Sequence, residues 1–488
     1  MEERKGFGTN FGFLMASVGS AVGLGNIWGF PNKMGASGGF TFLIVYLVLA
    51  VLCGFIVMVS ELALGRKTGK GVVSAYQALS KRFKWVGWLG ILSPFFILFF
   101  YCALGGYCIK YTVLNIGDLF HASFGANALA ETAVANGHSL GAEVFGAFMS
   151  SPTEAIIFGL IFVALTMLIV MGGVSGGIEK VCSVGMPALF VMLLICIIRA
   201  CTLEGAVDGL KYMFVPGWAV TNGVIDKAPN FFGVLSAAGG QMFFSLSLGM
   251  GIMITYGSYL DKKENLQKNA LLIIIMDTLV ALMAGLCVIP GRFALDPTGS
   301  LGGPKLLFVT MQNVFSRMGP IGPIFGILFY LLVVFAAISS SISLLEAVVA
   351  HFVDNARDAG KGDKRKAYAL IAAVAVGVGA MLICADSLGE ASFTPWRLLN
   401  LPAESIRTWN DCWLDFFDML SEGIMMPLGA LMMTLMVGWE LGPDVVKDEC
   451  EASGHAMGSY GFYKVCIKYI TPLCMILVLY GQIKEFFF

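Results

Sequence analysis

The sequence predicts an all-α membrane protein with 11 transmembrane helices, two of them broken at mid-span. Three observations carry this. The 488-residue chain is 57% hydrophobic and only 13% charged, about half the charge of an ordinary soluble domain, and its mean hydropathy is +0.81. Apolar runs of about 20 residues, long enough to cross hydrocarbon as helix, recur along it. Two such runs are interrupted, by AVGLGN at 21–26 and by SLSLGMG at 245–251. Unpaired backbone groups are costly in hydrocarbon, so a broken helix persists only where the freed groups face protein or a ligand cavity. A soluble single-core fold is excluded, and a net charge of −1 gives no reason to expect nucleic acid.

The spans fall at about 11–33, 39–64, 86–115, 155–172, 178–202, 231–259, 268–294, 322–352, 366–384, 418–440 and 460–482. The connection after the second holds Arg66, Lys67, Lys70, Lys81, Arg82 and Lys84 without an acid, which places it in the cytoplasm. Lys361, Lys364, Arg365 and Lys366 fall on the same side, and the acid-rich stretch with Asp386, Glu390, Glu404, Asp411 and Asp415 on the outer face. The N-terminus, with Arg4 and Lys5, is then inside, and an odd span count leaves Lys484 outside. Loops 116–153 and 203–230 are external, and the first, rich in Ala, Gly and Ser, is expected to be mobile.

Residues 1–10 form a cytoplasmic tail, 11–202 a first five-helix repeat, 203–230 an extracellular loop, 231–440 a second five-helix repeat, and 441–488 a loop plus an accessory eleventh helix. The halves have opposite topology because five is odd. Matching breaks in two inverted halves point to a midplane solute site in a secondary transporter. The 12 cysteines show no CxxC pair and read as small hydrophobes in helix packing. The four histidines lie in loops or at span ends, which gives no metal cluster. The first apolar segment is too long for a cleavable signal sequence.

The run GSAVGLGNIWGFP at 19–31 opens a series of motifs. It continues through GGF…SELALGR, GGVSGGIEK…GMP, GGQMFFSLSLGMGIMITYGSY, MDTLVALMAG and FAAISSSISLLE, in order over six spans. With these the chain resembles the neurotransmitter:sodium symporter family, particularly its bacterial amino-acid transporter branch. The resemblance implies the 5+5 inverted-repeat fold, location in the bacterial inner membrane, and sodium-coupled uptake of a neutral amino acid by alternating access.

Elementary electrostatics supports that reading. A broken helix offers N–H groups to a carboxylate and carbonyls to an ammonium or metal cation, and a zwitterion carries both charges. By resemblance, the substrate carboxylate meets the N–H groups of Leu24 and Gly25 and the Tyr101 hydroxyl, and its ammonium meets the carbonyls of Ala21 and Phe244, with Ser245 and Ser247 nearby. Ser20, Ile97, Phe244, Met250, Ser340 and Leu344 are placed around its side chain, an apolar set that suits a hydrophobic or aromatic amino acid and leaves leucine against tryptophan open. Two sodium ions are implied, with no organic cofactor. Asp277 stands in the apolar run LLIIIMDTLVAL, where an unpaired carboxylate costs at least ~2.5–3.5 kcal/mol, so it needs a cation or a proton. The resemblance places it at sodium site one with Ala21, Asn26 and Ser245, and its fixed charge implies independence from chloride. Site two draws on Gly19, Val22, Ala336, Ser339 and Ser340. Read alone, the hydroxyl run SSSIS is ordinary small-residue helix packing.

Phe244 matches the aromatic lid, and Gly177 with Pro187 matches a pattern for unwinding the inner end of span five. Glu61 is expected either at the freed backbone of the helix breaks or as an interfacial cap. Two positions depart from the family: Gly29 stands where an arginine usually closes the outer gate, and Val45 where relatives often carry proline. Asp418 remains as the acid of that gate, and Lys33, about one turn outward from Gly29, is the candidate replacement cation. Two rivals differ in class: a channel or receptor of the same fold, and a membrane enzyme. The second lacks a metal triad, a nucleophile–base pair or a phosphate loop. Beyond amino acid, sodium and bilayer, no protein partner is evident.

Overall fold

Apolar runs satisfy their backbone groups only as helices once water is excluded, and the chain follows that rule. The structure, a computed structural model, describes residues 7–298, 303–362, 364–391, 393–400 and 411–487. Arg4, Lys5 and Glu404, used above for orientation, lie outside them. The chain opens on α1 (Asn10–Ala21) and α2 (Gly25–Ala36), bent by 44° across a short break. Then come α3 (Phe40–Thr68), α4 (Val86–Leu119), α5 (Pro152–Met171) and α6 (Val174–Cys201). A second broken pair follows, α7 (Phe231–Ser245) and α8 (Ile252–Gly257). The remaining long helices are α9 (Leu266–Leu295), α10 (Gly319–Asp358), α11 (Arg365–Gly389), α12 (Trp413–Leu441) and α13 (Tyr460–Lys484).

Among the described residues, nine helices are long and apolar enough to cross a membrane, and the bent α1–α2 pair makes ten. The expected span at 231–259 is present only as two short pieces, because the backbone leaves the helix between them. α4 and α10 pack along each other, and α5 and α11 pack outside α4. The most apolar stretch of α4 is 78% buried, against 33% for those of α5 and α6, so α4 lies in the core while α5 and α6 present apolar side chains outward.

Loop 116–153 carries regular structure. Its residues form the helices Ala130–Asn136 and Leu140–Met149, the second capped by Ser139, and the Gly141 N–H donates to Asn313 Oδ1 at 2.7 Å. Alanine, read there as a sign of mobility, is also the best helix former, and packing decided between the two. Loop 203–230 likewise carries the helices Ala206–Phe214 and Trp218–Thr221.

Candidate functional site: two helix breaks around buried oxygens

α1 stops because Val22 turns to extended backbone (φ −76°, ψ 101°). Side chains then take up the freed groups. The Gly23 N–H donates to Asn26 Oδ1 at 2.9 Å, and the Leu24 N–H to the Tyr101 hydroxyl at 2.8 Å. A Cβ on Gly23 would lie 2.2 Å from Ser340 Oγ and 2.3 Å from the Tyr101 oxygen, so the approach of α10 and α4 requires glycine there. The second break places Ser247, Gly249 and Gly251 at φ values of 54°, 77° and 72°. Gly249 also abuts the Met426 carbonyl, 2.3 Å from where its Cβ would stand. Its N–H donates to Glu61 Oε1 at 2.8 Å. Glu61, 2% exposed, therefore binds freed backbone rather than capping an interface, and its Oε2 is buried without a partner among the described residues.

Asn26, Ser245 and Asp277, expected at sodium site one, are all fully buried and bonded to one another. Asn26 Nδ2 donates to Asp277 Oδ1 at 2.7 Å and to Ser245 Oγ at 3.0 Å, and Ser245 Oγ lies 3.0 and 3.1 Å from the two carboxylate oxygens. The Tyr46 hydroxyl donates to Asp277 Oδ2 at 3.3 Å, a contact that the sequence did not reveal. Ala21, the fourth expected member, ends α1 and lines the adjoining cavity.

All five residues expected at site two come together. Ser340 Oγ lies 3.2, 3.0 and 3.3 Å from the carbonyl oxygens of Gly19, Ser20 and Val22. Ser339 Oγ lies 3.3 Å from that of Val22 and 2.9 Å from that of Ala336. Three hydroxyl protons, those of Ser339, Ser340 and Ser247, serve four carbonyl oxygens here. The surplus of uncharged oxygen suits a hard cation of low charge.

Between these clusters lies a narrow, nearly closed cavity lined by Ser20, Ala21, Gly23, Gly25, Ile97, Tyr101, Phe244, Ser247, Met250, Ser340 and Leu344. Ten of the twelve residues expected to meet substrate are in that lining. Leu24 and Ser245 lie behind it, engaged with Tyr101 and Asp277. Gly23 joins the wall, and Ser343, unforeseen, donates to Ser20 Oγ at 2.8 Å. Phe244 stacks 6.4 Å from Phe100 at one side.

At the end of the bundle expected to face outward, Lys33 is ion-paired with Glu422. Asp418, the acid expected from the sequence, sits one turn away with its carboxyl against that of Glu422. The acid side of this cluster is therefore double, with Glu422 beside the expected Asp418 and Lys33 close to both. A π-helical stretch, Met419–Met425, alters the register of α12 there, and a regular helical repeat does not anticipate it. The side chain missing at Gly29 is replaced by Gln241, whose Oε1 lies 2.8 Å from the position a Cβ would take and whose Nε2 donates to the Gly25 carbonyl at 2.7 Å. At the opposite end, expected to face inward, Gly177 lies in a π turn, Val174–Ile178, and Pro187 within the following helix, so this stretch of α6 is wound in the present conformation.

Two unwound helix centres facing buried oxygens, with the carboxyl groups of Asp277 and Glu61 against them, inside a bundle of apolar helices, define a membrane transporter of the broken-helix class. Comparison with known proteins narrows this. The sodium:neurotransmitter symporter family model matches residues 4–127 and 154–395. YhdH of Bacillus subtilis, an uncharacterized sodium-dependent transporter, is 31% identical over 485 residues, covering 96% of each chain. An uncharacterized sodium-dependent transporter of Haemophilus influenzae is 28% identical over 491 residues, covering 98% of each chain. The crystal structure of MhsT in complex with L-phenylalanine matches with a TM-score of 0.81 and 31% identity, covering 98% of this chain and 100% of that one. The chain belongs to the sodium:neurotransmitter symporter family, a family of sodium-dependent transporters and not of enzymes.

Proposed function

We propose that this protein imports neutral hydrophobic or aromatic L-amino acids together with two sodium ions by alternating access, independently of chloride. It does so as an eleven-span, 5+5 inverted-repeat protein of the bacterial inner membrane, with its N-terminus cytoplasmic and its C-terminus outside. The observation that carries the reading is Asp277, fully buried and bonded to Asn26 and Ser245 beside the cavity. A carboxylate at that depth calls for a cation, with Ser245 and the Ala21 carbonyl adding hard oxygens and Asn26 turning toward the ion the amide oxygen that now accepts the Gly23 N–H. Its permanent charge takes the part that an anion plays where no acid is present. The second ion sits among Gly19, Val22, Ala336, Ser339 and Ser340.

The substrate carboxylate takes the Leu24 and Gly25 N–H groups and the Tyr101 hydroxyl, which now accepts the Leu24 hydrogen bond. Its ammonium lies at the Ala21 and Phe244 carbonyls. The wall of Ile97, Phe244, Met250 and Leu344 is apolar, which favours uncharged side chains. That MhsT was crystallized with L-phenylalanine is consistent with this choice. Phe244 closes the outer side, with the Lys33–Glu422–Asp418 cluster above it, and the 177–187 stretch opens the inner side.

The energetics suffice. One charge moving through 100 mV yields ~2.3 kcal/mol and a tenfold gradient about 1.4 more, so two sodium ions supply roughly 7 kcal/mol, a limiting accumulation on the order of 10⁵-fold. Uptake of tritiated L-phenylalanine and L-leucine into proteoliposomes tests the reading. The expected result is accumulation driven by an inward sodium gradient, equal in chloride and gluconate. A channel would only equilibrate the solute, and a receptor would bind without moving it.

A further inference from the structure

The break at Val22–Gly23 makes α1 a short lever with one end at the cavity and the other at the inner surface. At that inner end, Glu179 Oε2 accepts the Gly8 N–H at 2.8 Å and Glu179 Oε1 accepts the Thr9 hydroxyl at 2.9 Å. Thr9 is the N-cap of α1, its Oγ1 accepting from the Gly12 N–H at 2.9 Å. One carboxylate thus faces the first turn of α1, where helix N–H groups and the macrodipole favour negative charge. Gly12 makes room for it: a Cβ there would stand 1.9 Å from Glu179 Oε1 and 2.4 Å from its Cγ.

Glu179 is also the first residue after the π turn Val174–Ile178, which Gly173 enters at φ 78°. The same α6 then brings Cys182 and Met186 against Gly19, each sulfur 3.2 Å from where a Gly19 Cβ would be. The carboxylate therefore joins the free end of the lever to the segment of α6 least bound by a regular helical repeat. Phe7, packed edge-on against Tyr256 and Tyr259, ties the same end to α8 by apolar contact alone.

We propose that Glu179 is the latch that holds the inner half of the first span shut, and that its release from Gly8 and Thr9 precedes inward opening. It acts as a positioning residue, through α1. The inference rests on the transport reading above, since a latch has a use only if α1 moves.

Native Cys182 reports on the latch. It is 1% exposed and packed against Gly19, near the cavity end of α1, so it becomes accessible when α1 swings away from α6. The full chain in proteoliposomes is treated with N-ethylmaleimide and modification at Cys182 is quantified by peptide mass spectrometry, in sodium and in potassium. Glu179→Ala raises the rate roughly fivefold in potassium, the scale of a partly exposed charge-assisted hydrogen bond, and saturating sodium restores protection. Gly12→Ala gives the same increase, although alanine favours the helix by about 1 kcal/mol, because its methyl displaces the carboxylate. A misfolded variant would be labelled regardless of sodium, and Gly12→Ala then decides the matter alone. Unchanged Cys182 labelling in Gly12→Ala overturns the latch. Loss of sodium-dependent protection in the unsubstituted protein would instead count against the transport reading.

Discussion

The two oxygen clusters beside the first helix break are built from the same strand of backbone and differ in charge. Around Asp277 the cluster holds a carboxyl group, charged on the reading proposed above, with an amide, a serine and Tyr46 directed at it. Around Ser339 and Ser340 it consists of hydroxyls and carbonyls without a charged member among the contacts described. The charged cluster has to be balanced whenever it is closed off from water. The neutral one attracts a cation through dipoles, which cost less to leave unoccupied. On this account the first site sets whether sodium is needed at all, and the second sets how firmly α1 is held to α10.

Breaking the charged cluster should have the largest effect. Asp277→Asn is expected to weaken sodium-dependent amino-acid binding by about 100-fold or more, the scale of uncoupling a buried charge from its partner. Added chloride should recover part of the loss by resupplying the charge. A sodium titration by scintillation-proximity binding in chloride and in gluconate measures both. Ser340→Ala removes one oxygen of the neutral cluster and is expected to raise the sodium requirement about tenfold with no response to chloride. A chloride response there would erase the distinction between the clusters. Tyr46→Phe keeps the ring packed against Phe30 and Phe42 and removes one hydrogen bond to Asp277, so sodium affinity should fall roughly fivefold.

The smallest effect is expected at the outer gate. The side chain of Lys33 is 25% exposed, and partly hydrated ion pairs contribute little. Lys33→Gln should speed labelling of a cysteine introduced into the cavity wall by Ile97→Cys, with reagent added from outside, by about twofold to threefold, and Glu422→Gln in the same background should add little more. Independent, additive effects would show that the two side chains do not form one gate.

The same contrast explains what the sequence could reveal. A carboxylate within LLIIIMDTLVAL and the glycine-rich centres of two apolar runs violate what hydrocarbon permits, so they stand out in one dimension. Tyr46 in FTFLIVYLVL and Ser343 in SSSIS violate nothing. Their contacts depend on how α3 and α10 rotate against the breaks, which is a property of packing rather than of local pattern. Glu422 was hidden by the π-helical stretch in α12, and Gln241 by the absence it fills at Gly29. The split of span 231–259 was legible, whereas the helices in loops 116–153 and 203–230 were not, since short helices draw most of their stability from what they pack on.

Equilibrium binding of tritiated L-phenylalanine and L-leucine to the purified protein, compared in sodium chloride, sodium gluconate and potassium chloride, tests the central claim most directly. The account predicts saturable binding of at least one ligand, equal in the two sodium salts and absent in potassium. Binding that persists undiminished in potassium, or that vanishes when gluconate replaces chloride, would contradict it.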